Sequence, residues 1–364
     1  MRQMGPLVHA WSVYRAEQHM NSNGHFVQSA PGAPGVLLNP VPFQEGDRAQ
    51  IVELGGAAAA IATLTSRIEA ALRCGEEFGC PVLVVPGLTE SGTATALTTS
   101  SSLPAGLAAV ALPADSSSGP ADIAAFSHAP SGSAIVSGAV IGAPAGSLTL
   151  TEADETQAAL VARRLRALLA HPLRRVLVAA GEPLLRDAER AVQELVFTHD
   201  PAAFLLHADE LLWQAPRGMG TRFLRRSAEC SRLLGLHTLD FEVTIVPPGK
   251  QSTLLHSHAG YEELFVILDG EGEVQTERGT FPIRAGDALG FPARHHVAHG
   301  IRNTGGHDLR MLSFGAAPPP DEYAGISEYP ESRKQGQWLG PGKFRRFYLP
   351  DKLDVNYWEG ERLD

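Results

Sequence analysis

Cysteine is scarce in this chain, and the scarcity excludes a disulfide-stapled fold. The three cysteines, Cys74, Cys80 and Cys230, are odd in number and have no metal-site spacing. Buried or idle thiols in a reducing compartment are the expectation. Long apolar runs are missing too. The first residues, MRQMGPLVHAWSVYRAEQ, hold no apolar core of the roughly 7–15 residues that a signal peptide needs. No stretch approaches the roughly 18 apolar residues of a membrane span. A cytoplasmic protein without membrane contact is expected. Positive charge is also in deficit, with 30 Lys and Arg against 40 Asp and Glu, a net charge of -10. A nucleic-acid partner needs a basic face that this balance does not supply. Arg225-Arg226 and Arg345-Arg346 are isolated pairs and read as solvated surface charge.

The chain has 364 residues, more than one domain usually holds, and its 44% hydrophobic content supports a sizeable core. Its first part mixes buried-strand runs with amphipathic helices. Pro81–Val85 and Val176–Ala180 read as strands, while Ser66–Phe78, Thr151–Ala170 and Arg186–Val196 read as helices. Alternation of this kind predicts an α/β layered domain. The Ser-, Gly-, Pro- and Ala-rich stretches Thr98–Ser118 and Ala129–Ser133 read as loops. From about Thr238 the texture changes to short alternating runs, such as Phe241–Val246, with turns at Gly270, Gly279 and Gly286. That spacing predicts an all-β barrel or sandwich. A boundary between Trp213 and His237 gives domains 1–215 and 216–364, with Ala316–Asp364 wrapping the barrel.

The segment Gly249–Gly270, GKQSTLLHSHAGYEELFVILDG, carries the strongest chemical signal. His256 and His258 stand two apart, so a strand points both to one face. A carboxylate follows at Glu263, and Gly286–Asn303, GDALGFPARHHVAHGIRN, supplies more histidines. Neutral imidazoles with one carboxylate around an open position suit Fe, Mn, Ni, Co or Zn.

These residues resemble the two motifs of the cupin superfamily. The first runs Gly249, six residues, His256-Ser-His258, four residues, Glu263, six residues and Gly270. The second begins at Gly286 and Pro292 but then departs, with Arg294 where Gly is usual and the His–three–Asn ending two residues late, at His299 and Asn303. His296 is a rival for the third histidine, and Glu262 competes with Glu263, which alone keeps six residues to Gly270. The resemblance covers about Gly218–Asp364. It implies a cupin barrel holding one divalent metal (Fe, Zn, Mn or Ni) on His256, His258, Glu263 and His299. Glu263, Arg294 and Tyr261 are the candidate catalytic residues. Arg294 could hold a substrate carboxylate or phosphate bidentately.

The first half resembles the metallo-β-lactamase-like fold over about Trp11–Val196. The likeness lies in Asn21–His25, Gly35–Pro42, Ser137–Gly142 and Val176–Pro183. Where that family places its metal-binding histidines this chain reads Thr63–Leu72, with Arg67 and no histidine. Ala139 and Ala180 stand at two further ligand positions. Loss of these ligands argues against hydrolysis there, and a non-catalytic scaffold or gating domain is expected. His128, His171, His199 and His207 are scattered and rebuild no site.

The sequence thus predicts a metal-dependent cupin enzyme acting on a small molecule, with a homodimer expected from the cupin resemblance. The alternative is a non-catalytic, metal-stiffened sensor or binding protein. Oxygenase, lyase, isomerase and decarboxylase chemistries all occur on this ligand set.

Overall fold

Apolar residues on both faces of successive strands decide the architecture of the first half. Val8 and Ala10 point one way and Trp11 the other. The same alternation recurs in Val36 and Leu38 against Leu37, and in Ala59 and Ile61 against Ala60 and Ala62. A sheet that is apolar on both faces must be covered twice. The computed structural model describes residues 1–86, 88, 94–97, 103–111, 123–151, 154–170, 173–316, 325–338, 344–348, 358–359 and 361–363. It separates into two units, Met1–Leu205 and Leu206–Asp364.

In the first unit a seven-stranded sheet runs from Arg2–Gly5 to Thr95–Ala96 with its strands in chain order. Gly35–Leu38, Ala57–Ala62 and Val82–Val84 are parallel, and the strands before them are antiparallel. One face packs on Leu107, Ala124, Phe126, Ile135 and Leu177 of a four-stranded sheet. The other is covered by Ile68, Ala71 and Cys74 of the helix Ile68–Phe78. Helices Glu155–Leu165 and Ala188–His199 pack on each other, and the latter touches Arg175–Val178.

The helix expected from Thr151 begins instead at Glu155, because Asp154 caps it by accepting from the Gln157 amide at 2.9 Å. After Leu165 it tightens into a 3-10 turn over Arg166–Ala170. Part of the expected loop Thr98–Ser118 is a strand, Leu107–Ala111, at the edge of the four-stranded sheet. Its small apolar run was hidden by the Ser, Pro and Gly around it. Positions 98–102 and 112–118 lie outside the described residues, as does His171.

The stretches singled out in the first half meet in space. Asn23 donates to the carbonyls of Val178 and Gly181 at 2.8 Å each, and Thr63 reaches both Asn39 and Ser137. The chain crosses itself where Gly142 passes Gly181, so closely that a Cβ on Gly142 would fall 1.8 Å from the Glu182 carbonyl oxygen. Cys74 and Cys230 are buried and all three thiols are free; burial pushes the first up to about 12 and the second to about 11.

His25 is 1% exposed, and burial, helped by the Arg67 guanidinium, lowers its imidazole to about 3. An unfolded chain takes up this proton near the ordinary value of 6.5. Below that value the unfolded state therefore binds more protons, and stability is lost as pH falls from 6.5 toward 3. Between about pH 7.5 and about pH 5 the first unit is expected to lose on the order of 2 kcal/mol. Hydrogen exchange of the strand Met20–Val27 should report this loss, and His25→Leu should flatten it.

The second unit is antiparallel throughout its named strands. A six-stranded sheet orders Arg217–Met219, Phe223–Glu229, Leu239–Val246, Leu309–Ala316, Glu263–Asp269 and Ala288–Phe291. A three-stranded sheet orders Gly279–Arg284, Glu271–Thr276 and His299–Asn303. Val246, Ile267, Val274, Ile283, Ile301, Leu309 and Met311 fill the space within the unit. At Gly270 the turn takes φ 85°, and a Cβ would lie 2.7 Å from the Asp308 carbonyl, so glycine is needed there.

The C-terminal stretch, expected to wrap the barrel, contributes strands. Ile326–Tyr329, Lys334–Trp338 and Phe344–Tyr348 extend from Ser257–His258 to form a four-stranded sheet. The Leu363 carbonyl accepts from the amides of Thr221 and Arg222. Arg225 is not merely solvated: it pairs with Glu242 at 3.0 Å, while Arg226 lies 4.5 Å over the Trp213 ring. Among the described residues no helix is long and apolar enough to cross a membrane.

Candidate metal centre

Strand pairing brings the candidate ligands together. His256 and His299 form an antiparallel bridge, each amide donating to the other's carbonyl, at 3.2 and 2.9 Å. Residues so opposed present their side chains on one face, and the two imidazole rings lie 5.2 Å apart. His258, two residues on, pairs with Ser327 in the neighbouring strand. Glu263 opens the strand Glu263–Asp269, whose alternation turns Phe265 and buried Ile267 inward and leaves Leu264 and Leu268 exposed.

The donor atoms converge. One nitrogen each from His256 and His258 and one oxygen from Glu263 lie within 4.8 Å of one another. Glu263 Oε2 is 3.0 Å from His299 Nε2 and 3.4 Å from His258 Nε2. Adjacent ligands of an octahedral ion with bonds of about 2.1 Å stand about 3 Å apart, so this spacing suits a cation between them. Glu263 Oε2 and His299 Nε2 are buried, and neither has a hydrogen-bond partner of acceptable direction. Two orphaned buried donor atoms facing one point are what a metal would satisfy.

The surroundings fix the rings with Nε2 inward. His256 Nδ1 donates to the Leu254 carbonyl at 2.8 Å and His299 Nδ1 to the Val297 carbonyl at 3.2 Å. His258 Nδ1 is 3.1 Å from Ser327 Oγ. Phe291 stacks on His299 with centroids 3.6 Å apart, and Tyr329 lies parallel to His256 at 5.9 Å. Such outer contacts set tautomer and orientation.

The electrostatics suit a cation as well. Burial lowers His256 to about 3, with His258 acting in the same direction, and burial also lowers His258. Burial alone would raise Glu263, but contact with His299 and the charges of His258 and His256 outweigh it and hold the carboxyl at about 2. Neutral imidazoles and an ionised carboxylate are the ligating forms.

The remaining candidates fall around this cluster. His296 is half-exposed and pairs with Glu328 at 3.1 Å, and His295 and Glu262 are exposed. Arg294 is exposed in the loop before His299, with its amide donating to the Ala259 carbonyl. It takes φ 65°, the left-handed conformation that explains why glycine is usual there. Tyr261 donates to Asp240 at 3.2 Å, and its ring lies 5.4 Å from that of His258. Burial and Asp240 push its hydroxyl well above the usual phenol range. The space it occupies exists because residue 315 is glycine, where a Cβ would meet the Tyr261 hydroxyl at 1.8 Å. Asn303 is structural: its amide donates to the Val246 and His307 carbonyls at 2.7 Å each. Sequence reasoning missed Ser327, which no spacing marks, and missed Phe291 as the ring stacked on His299.

The family model described as Cupin domain matches residues 242–315, so the second unit carries a cupin domain. Two curated proteins are similar to part of this chain. An uncharacterized protein of Methanocaldococcus jannaschii is 34% identical over 84 residues, 23% of this chain and 65% of that protein. A protein of Thermotoga maritima named oxalate-binding protein is 40% identical over 68 residues, 19% of this chain and 54% of that protein. The chain thus spans less than two thirds of either relative's length. Among solved structures, a sugar phosphate isomerase from a cupin superfamily, from Silicibacter pomeroyi, is 19% identical, covering 40% of this chain and 92% of its own, with a TM-score of 0.36.

Proposed function

We propose that the protein is a metal-dependent cupin enzyme acting on a small molecule at a mononuclear site formed by His256, His258, Glu263 and His299. The observation that carries this reading is the pair of orphaned buried donors, Glu263 Oε2 and His299 Nε2, 3.0 Å apart. A divalent metal held there would supply Lewis-acid polarisation of a substrate oxygen or, if it is iron, oxidative chemistry. The chain's own residues orient and gate. Ser327 and the Leu254 and Val297 carbonyls fix the imidazoles, and Phe265 and Phe291 shield one side of His299 from water. Tyr261 retains its proton at neutral pH and is a donor beside His258. Arg294, exposed on the loop before His299, supplies a guanidinium for a substrate carboxylate or phosphate.

The name of the Thermotoga maritima relative, oxalate-binding protein, supports a small carboxylate as the first substrate class to try. It also supports the second reading, tight binding without turnover. Metal-loaded protein incubated with oxalate separates the two. Loss of oxalate, abolished in Glu263→Ala and His258→Ala, supports the enzyme. Stoichiometric binding with oxalate recovered intact supports the sensor, and neither binding nor loss removes oxalate from consideration.

In this proposal the first unit is a non-catalytic scaffold or gating domain, its likeness to the metallo-β-lactamase-like fold resting on the sequence stretches given above. The proposal also includes a cytoplasmic homodimer. Exposed Leu264, 42%, and Leu268, 45%, on one strand of the six-stranded sheet support the pairing. Leu264→Glu is expected to convert dimer to monomer in sedimentation; an unchanged mass, or a monomeric wild type, would remove it.

A further inference from the structure

Arg67 is a buried cation that no carboxylate balances among the described residues. The residue is 5% exposed, and its Nε has no hydrogen-bond partner. Among the described residues no carboxylate pairs with its guanidinium. Among the described residues, the charged neighbours that act on it are of the same sign. Arg15 lowers it further, after burial, and it in turn lowers His25. Isolating a cation from water carries a desolvation penalty unless a counter-charge is supplied. The fold retains this one at the N-cap of an eleven-residue helix, Ile68–Phe78, whose dipole adds positive potential.

Its position is also that of a ligand site. Arg67 follows the strand Ala57–Ala62, the second of the four parallel strands that end at Thr95–Ala96. Open sheets place ligands beyond the carboxyl ends of such strands. Asn39 and Thr63 stand at those ends, where Thr63 Oγ1 donates to Asn39 Oδ1 at 2.8 Å and meets Ser137 Oγ at 2.5 Å. His25 lies across from Leu38 at the same end, and its Nδ1 is buried without a partner.

We propose that Arg67 and His25, at the N-terminal end of the helix Ile68–Phe78, form a binding site for a small oxyanion, a carboxylate or a phosphate. A guanidinium presents paired donors that match two oxygens of either group. Helix N-termini bind both for the same electrostatic reason. The first unit would then sense or hold an anion, independently of the metal centre in the second.

The test is isothermal titration of the full-length protein, exchanged into chloride buffer, with inorganic phosphate and separately with acetate. One of the two is expected to bind at one equivalent, and which one binds identifies the ligand's acidic group. Arg67→Met is expected to weaken that binding by about tenfold or more, whereas His256→Ala keeps it. Arg67→Met is also expected to raise the thermal midpoint in chloride, since it removes an unbalanced buried charge. If that variant does not fold, Arg67→Lys, which keeps the charge but loses the paired donors, should bind more weakly than wild type. The proposal is overturned if neither anion binds wild type, if binding is unchanged in the Arg67 variants, or if it is lost in His256→Ala instead.

Discussion

His299→Ala is expected to release the metal, and His296→Ala is expected to keep it. Both variants remove one imidazole from the same loop-and-strand segment, so composition alone would treat them alike. The geometry does not. His299 is buried, opposed to His256 across a reciprocal pair of backbone hydrogen bonds, and 3.0 Å from Glu263. His296 is half-exposed and paired with Glu328 at 3.1 Å. Loss of an outer contact to a ligand lowers metal affinity by roughly 10–100-fold, and loss of a ligand should exceed that. Elemental analysis of protein purified without chelator is the measurement. About one equivalent in wild type and His296→Ala, with little in His299→Ala, is the expected result. Metal retained in His299→Ala but lost in His296→Ala would reassign the ligand. No metal in wild type after reconstitution would overturn the proposed centre.

Lys334→Ala is expected to destabilise the second unit by about 3–5 kcal/mol, the usual cost of leaving a buried charge without its partner. Lys334 is almost wholly buried, 2.6 Å from Glu361 and 2.8 Å from the Glu359 carbonyl, with Tyr329 beneath its ammonium. The pair ties the chain's end to the sheet that holds His258. Lys334–Trp338 pairs with Ile326–Tyr329, which pairs with Ser257–His258 and presents Ser327 to the His258 ring. The variant should therefore unfold at lower urea and also bind metal more weakly. Adding Glu361→Gln should recover part of the stability, because the residual charge is then gone. A single variant with an unchanged urea midpoint would show that the tail contributes nothing to the unit.

The two halves of the chain differ in how far their sequence could be read. In the second half, period-two alternation from Phe241 onward and glycines at 270, 279 and 286 marked strands and turns, because both are local properties of the backbone. Strand Glu263–Asp269 has Ile267 inward and Leu264 outward, the faces that alternation requires. In the first half the strands Gly35–Leu38 and Ala57–Ala62 are buried on both faces and carry no alternation to detect. The strand Leu107–Ala111 was hidden for a related reason, since a short run of small apolar residues between Ser, Pro and Gly reads as loop.

By itself the sequence determined that the chain contains a cupin domain and which short segments carry its histidines and carboxylate. Ligand type and spacing are written in the order of residues. Tertiary structure alone decided which side chains meet. The His256–His299 bridge, Ser327 at the His258 ring, Phe291 on His299 and the space at Gly315 filled by Tyr261 all join residues distant in sequence. The charge of Arg67 belongs with them, because a sequence shows that an arginine is present but only packing shows that no carboxylate among the described residues came with it.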